Sequence, residues 1–147
     1  MNLEPVRAVV TKQFKASAGR VFDAWLDPDW IGRWMFGPNV REEQIVRLGC
    51  APHVGGKFSF VVNRGGKEID HVGEYLEIDR PHCLVFTWAT RESLPDTSRV
   101  VVEISSLGDD ACELTLTHVM SPRWAAFVNQ AAGSWQKMLD VLAGAIR

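Results

Sequence analysis

The run Asp70-His71-Val72-Gly73-Glu74-Tyr75 sets four ionisable side chains on six consecutive positions. On an extended strand, alternation puts His71 and Tyr75 on one side and Asp70 and Glu74 on the other. A histidine and a tyrosine inside an apolar pocket would polarise a carbonyl or move a proton. The plainer reading has one pair facing water and the other satisfied by hydrogen bonds. His118 follows Leu114 and Leu116 on the same side of a later alternating segment. It would reach a pocket mouth, or bond a backbone group near the start of the next helix. His71, Tyr75 and His118 are thus the candidates for a catalytic role, and none is assigned one outright. His53 and His82 fall in turns and face water.

Other chemistries find little support. No two histidines have the spacing of metal ligands on one helix or strand, and the carboxylates complete no facial set, so no metal site is expected. No Gly-x-Ser-x-Gly is present. Cys50, Cys83 and Cys112 are odd in number, far apart, and without a Cys-x-x-Cys pair, which suits reduced thiols in a cytoplasmic protein. Gly55-Gly56 and Gly65-Gly66 read as turns; neither opens a helix, as a phosphate-binding loop must. No cofactor is expected.

Six Trp and seven Phe stand against a single Tyr. Large rings fill a core, or line a cavity that smaller side chains would close. The rings at Trp34, Phe58, Phe60, Phe86 and Trp88, with His71 and Tyr75, would form one wall. Trp124, Phe127, Trp135 and Met138 would form the other. Trp34-Met35-Phe36 either packs locally against the short helix or makes an apolar tip at Met35-Phe36 that suits an entrance gate or a partner surface, and the polar loop Arg91 to Ser98 would lie near the same entrance.

The elements that must position these groups follow from periodicity. Val6 to Phe14 alternates as a first strand. Ser17 caps a short helix carrying Val21, Phe22, Trp25 and Leu26. Asp27 caps a second, with Pro28 at its first position and Trp30, Ile31 and Trp34 on its apolar side. Strands follow over Gln44–Leu48, Lys57–Val62, Glu68–Ile78, Cys83–Ala89, Val100–Ser105 and Cys112–His118. Gly73 predicts a bend or bulge in the third of these. After Ser121-Pro122 one long helix runs to Ile146, with Trp124, Phe127, Val128, Ala131, Trp135, Met138, Leu139, Leu142 and Ile146 along one face. Hairpin-linked strands make an antiparallel sheet, and only this last helix is long enough to cover its apolar face.

This order of elements resembles the helix-grip fold of the START-like (SRPBCC) superfamily. More closely, it is similar to the branch named for the C-terminal domain of the activator of the ninety-kilodalton heat-shock chaperone's ATPase. The residues that carry the likeness are AGRVFDAWLDPDWIGRWMFGP at 18–38, VGGKFSF at 54–60, HVGEYLEIDRPHCLVFTW at 71–88, CELTLTHV at 112–119 and GSWQKMLDVL at 133–142. The resemblance implies an α+β fold in which a curved antiparallel sheet of about seven strands wraps a long C-terminal helix. It also implies a cavity between them that takes an apolar or amphipathic small molecule. The superfamily includes lipid carriers, hormone receptors and polyketide cyclases. The additional N-terminal domain of the eukaryotic co-chaperones has no counterpart in these 147 residues.

The totals agree with one domain over 1–147. At 46% hydrophobic, 23% charged and a net charge of −2, the chain is globular in composition and has no basic excess for a nucleic-acid partner. The opening MNLEPVRAVV carries an acid early and no long apolar run, so neither a signal peptide nor a membrane span is expected. The expected function is a small-molecule binding module rather than an enzyme. A cyclase- or hydratase-type enzyme using the same cavity is the alternative, and an interaction module for a chaperone or other protein is a third. Ligand identity and a homodimer stay open.

Overall fold

The computed structural model describes residues 4–147; the expectation about a leader segment rests partly on residues 1–3, which lie outside that range. Strand β1 (Val6–Phe14) is followed by helices α1 (Ala18–Asp23) and α2 (Pro28–Trp34). Six strands come next: β2 (Gln44–Cys50), β3 (Lys57–Arg64), β4 (Lys67–Asp79), β5 (Cys83–Thr90), β6 (Ser98–Ser106) and β7 (Cys112–Met120). A 3-10 segment, Pro122–Phe127, leads into helix α3 (Val128–Ala145). The strands form one antiparallel sheet in the order β1-β7-β6-β5-β4-β3-β2. The chain therefore starts beside its last strand, and α1 and α2 carry it across to the opposite edge.

Local chemistry sets the short helices. The Ser17 hydroxyl accepts from the Arg20 N–H at 3.3 Å, and Asp27 Oδ1 accepts from the Asp29 N–H at 2.9 Å. Both satisfy amide donors that the first helical turn leaves unpaired. In β7 every second residue is buried, from Cys112 through Leu114, Leu116 and His118 to Met120. That alternation turns one face of the sheet onto the core, where Phe14, Val62, Leu84, Val100 and Val102 join it. From the other side α3 buries Trp135, Met138, Leu139 and Leu142. Full burial of Leu139 and Leu142 contributes about 1.5–3 kcal/mol each.

The last helix departs from its sequence reading at its start. The periodicity runs unbroken from Trp124, yet Pro122–Phe127 is 3-10 and buries no residue. Trp124 and Phe127 are 40% and 47% exposed, whereas Trp135 is 2% exposed. The grip is tight only from Trp135 onward. Before it, helix and sheet diverge.

The bulge falls at a different place from the one expected. The β3–β4 register runs continuously through Gly73, opposite Phe58. The shift is on the β5 side, between Tyr75 and Glu77. His71 and Tyr75 consequently both point inward. Gly73 is needed for another reason: a Cβ there would stand 2.0 Å from the Thr87 carbonyl oxygen and 2.4 Å from the Phe58 ring.

One buried chain of hydrogen bonds joins helix to sheet. The Trp135 indole N–H donates to His118 Nδ1 at 3.1 Å. His118 Nε2 must then carry the ring proton, which it donates to Ser98 Oγ at 2.6 Å, and Ser98 donates to the Trp88 carbonyl at 3.0 Å. Both ring nitrogens are engaged, and burial pushes the His118 pKa down to about 4. At the far side of α3 an ion pair joins Asp140 to Lys12 of β1 at 2.8 Å.

Two outcomes follow. His118 binds its proton more weakly when folded (about 4) than when unfolded (6.5), so its contribution is complete above pH 6.5 and declines as pH falls toward 4. Urea denaturation at stepped pH should show this loss, up to about 3 kcal/mol, and His118→Gln should flatten the slope by one proton. Gly73→Ala should destabilise by about 1–3 kcal/mol or more through overpacking against Thr87 and Phe58, read from the urea midpoint.

Candidate functional site

Where α3 and the sheet diverge, a cleft of about 340 Å³ opens. Its inner wall is a continuous run of rings. Phe36, from the turn after α2, lies 4.6 Å from His71 of β4 and stacks on Trp88 of β5 at 6.3 Å between centroids. His71 is 5.6 Å from Trp88, and Trp88 is 5.3 Å from Trp135 of α3. Met138 and Ala131 continue the wall along the helix. At the mouth, Trp124 and Phe127 pack on each other at 5.4 Å. An exposed Arg123–Asp96 ion pair ties that rim to the β5–β6 loop.

Of the residues expected at a cavity or its mouth, His71, Trp88, His118, Trp124, Phe127, Trp135 and Met138 come together here. Trp34, Phe58, Phe60, Tyr75 and Phe86 lie elsewhere, in the filled core. Trp34 is fully buried, with its indole N–H donated to the Ala24 carbonyl at 3.0 Å. Phe58, Phe60, Tyr75 and Phe86 enclose with Trp25, Met35 and Trp88 a void of only about 10 Å³. Here the rings do what close packing demands of large side chains. Among the described residues Trp25 Nε1 is the one buried side-chain nitrogen or oxygen without a partner. Phe36 does line the cleft, while Met35 is 1% exposed in the core, so the two do not form an exposed tip.

The three candidate acid–base groups differ sharply in environment. Burial, together with the neighbouring Cys50 thiol, pushes the Tyr75 hydroxyl far up and keeps it protonated. His118 has no ring nitrogen free. His71 is different. Its Nδ1–H donates to the Phe60 carbonyl at 3.1 Å, which leaves Nε2 as an unprotonated acceptor. That nitrogen has no protein partner and is not sealed from the cleft. Burial holds the His71 pKa below its usual value, outweighing the Phe60 hydrogen bond, and the positive charge of Arg64 adds to the lowering. The ring is therefore neutral at neutral pH.

Beside His71 is a charged cluster that periodicity does not reveal. The Glu43 carboxylate is fully buried. It accepts from the Gly37 N–H at 2.8 Å, Arg41 Nη1 at 2.9 Å, and Arg64 Nε and Nη2 at 2.9 and 2.6 Å. Burial alone would raise its pKa, but the Gly37 and Arg64 hydrogen bonds and the two guanidinium charges outweigh it and hold the group low. Gly37 adopts φ = 105°, a conformation side chains other than glycine resist, and this brings its N–H onto Glu43. Arg41 also donates to the Met35 carbonyl at 3.1 Å. Both arginines then line the cleft, with Thr90, Gln130 and Ser134 as further polar groups. Strand register carried a signal for part of this: Gln44 pairs with Asn63, so one step further places Glu43 across from Arg64.

Among the described residues there is no group of three or more His, Cys, Asp or Glu that could hold a metal, and no helix is long and apolar enough to cross a membrane.

Solved structures share this architecture. Protein CV1439 from Chromobacterium violaceum superposes with a TM-score of 0.79 at 19% identity, over 95% of this chain and 96% of its own. A Rhodobacter sphaeroides protein gives 0.80 at 16%, over 97% and 95%. CalU16 from Micromonospora echinospora gives 0.68 at 20%, over 97% and 84%. At these identities the likeness shows the fold. A search of curated protein sequences finds no match. The family model for activator of Hsp90 ATPase homolog 1-like protein matches residues 15–147, from the end of the first strand through the gripped helix, and the chain belongs to that family.

Proposed function

We propose that the protein is a small-molecule binding module that holds an apolar or amphipathic ligand in the cleft between sheet and α3, as a single domain acting in the cytoplasm. The observation that carries this reading is the cleft itself: about 340 Å³ walled by Phe36, Trp88, Trp135 and Met138 and roofed by two exposed rings. Volumes of this order suit small ligands. Burying ~300 Å² of ligand surface at ~25 cal/mol/Å² gives about 7 kcal/mol before the costs of association, which corresponds to micromolar affinity at best. Trp124 and Phe127 supply apolar surface at the mouth without being required by the core.

A second reading rests on His71. A neutral imidazole oriented by a backbone carbonyl, with its free nitrogen toward an apolar cleft, is the geometry of a general base. Such a base would serve the cyclase- or hydratase-type chemistry in which a carbon acid or a water loses a proton.

Native mass spectrometry of protein purified from its own host should show a retained molecule in the mass range of a small ligand. A thermal-shift panel of lipids and aromatic metabolites should raise Tm by about 5–10 °C for a ligand at a hundred times its Kd. Ser134→Trp, on the exposed side of the cleft, should abolish that shift while leaving the unliganded Tm within about 2 °C. No retained molecule together with no shift across the panel would overturn the binding reading. If the retained molecule is turned over, His71→Gln should remove turnover while binding persists; turnover unchanged in that variant would exclude the base role.

A further inference from the structure

The cleft has two ends of unlike character. One is the aromatic rim at Trp124 and Phe127. The other is the Glu43 cluster, where two guanidinium groups share a single carboxylate. The charge there does not cancel: two positive groups and one negative leave one positive charge over. Nor are the donors used up. Arg41 spends Nη1 on Glu43 and Met35, and Arg64 spends Nε and Nη2 on Glu43. With five N–H bonds on each guanidinium, about three per arginine remain. Both side chains are partly exposed, 21% for Arg41 and 38% for Arg64, and both line the cleft, Arg41 also bordering a second surface hollow beside Pro38 and Glu42. Glu43 and the Met35 carbonyl hold the two forks in place, so little side-chain freedom is left to lose when a further acceptor arrives.

We infer that the cleft selects an amphipathic monoanion, a carboxylate on a flat apolar body, with the carboxylate on Arg41 and Arg64 and the body along Phe36, Trp88 and Trp135. The inference rests on the binding reading above and adds the charge class of the ligand. Guanidinium forks match planar carboxylates in bidentate geometry. A single surplus charge balances a monoanion; a phosphate monoester, as a dianion, would leave one negative charge uncompensated beside an apolar wall. The His71 Nε2 lone pair beside the arginines also discriminates. It gives nothing to a bare anion, and it accepts from a hydroxyl or N–H placed next to the carboxylate.

Calorimetric titration of the full chain with 2-naphthoate, 2-naphthalenemethanol and 2-naphthyl phosphate tests this, at about pH 8 where the phosphate is a dianion. The naphthalene body is common to all three, so the head group alone differs. Naphthoate should bind at least tenfold more tightly than the alcohol and more tightly than the phosphate. Arg64→Gln should erase the preference for naphthoate over the alcohol, and Arg64→Lys, which keeps the charge against Glu43 but loses the planar fork, should retain only part of it. Equal binding of naphthoate and alcohol would overturn the inference while leaving the cleft as a binding site. Tighter binding of the phosphate would overturn the charge count. Binding of none of the three would overturn this inference and count against the cleft itself. Should Arg64→Gln fail to fold, the wild-type ranking of the three probes decides by itself.

Discussion

A single buried hydrogen bond, from the Trp135 indole to His118 Nδ1, decides how the helix lies on the sheet. An indole N–H buried without a partner costs about 1–3 kcal/mol, so Trp135 is held to one height and one rotation along β7. His118 can accept only as the Nε2–H tautomer, and Ser98 and the Trp88 carbonyl complete that requirement. Three strands and the helix are thereby brought into one register. Leu139, Leu142 and Ile146 close the core below this point. Above it the helix is under no such demand, and the cleft forms there. The site is a by-product of where the grip stops.

Most of the architecture was legible because it rests on short-range rules. The caps at Ser17 and Asp27, Pro28 at a first helical position and the alternation of Cys112 to Met120 are each decided within a few residues. The loosened start of the last helix was not legible. Trp124, Phe127 and Ala131 continue the 3.6-residue period, and periodicity reports which side is apolar, not whether anything packs against it. For the same reason the expected cavity wall divided into two groups. Phe58, Phe60, Tyr75 and Phe86 face the same way as Trp88, yet they meet Trp25 and Met35 from the helical segment and fill their space. Alternation gives the face of a strand; how far along that face a cover extends depends on residues distant in sequence.

The Glu43 cluster shows a different limit. In the sequence, Val40-Arg41-Glu42-Glu43 lies between the turn after the second short helix and the strand expected from Gln44, with no periodicity to mark it, and Arg64 falls in a turn-forming run with Gly65 and Gly66. Burying a lone carboxylate is costly, so composition argues against it. It is buried because four donors meet it, and three of those come from side chains that only the folded chain assembles. Its role is also structural. By tying the turn after α2 to the end of β3, Glu43 fixes Phe36 over His71 and so closes the inner end of the cleft.

The division of the C-terminal helix into a gripped part and a free part also separates two kinds of selection. Substitutions at Leu139 or Leu142 act on folding. Substitutions at Trp124, Phe127, Gln130 or Ser134 meet solvent and cleft, where stability changes are usually within about 0.5 kcal/mol. The edge that faces the cleft can therefore change residue by residue without approaching the stability threshold. A scaffold built this way can keep one architecture at 16–20% identity while the exposed edge of the helix changes.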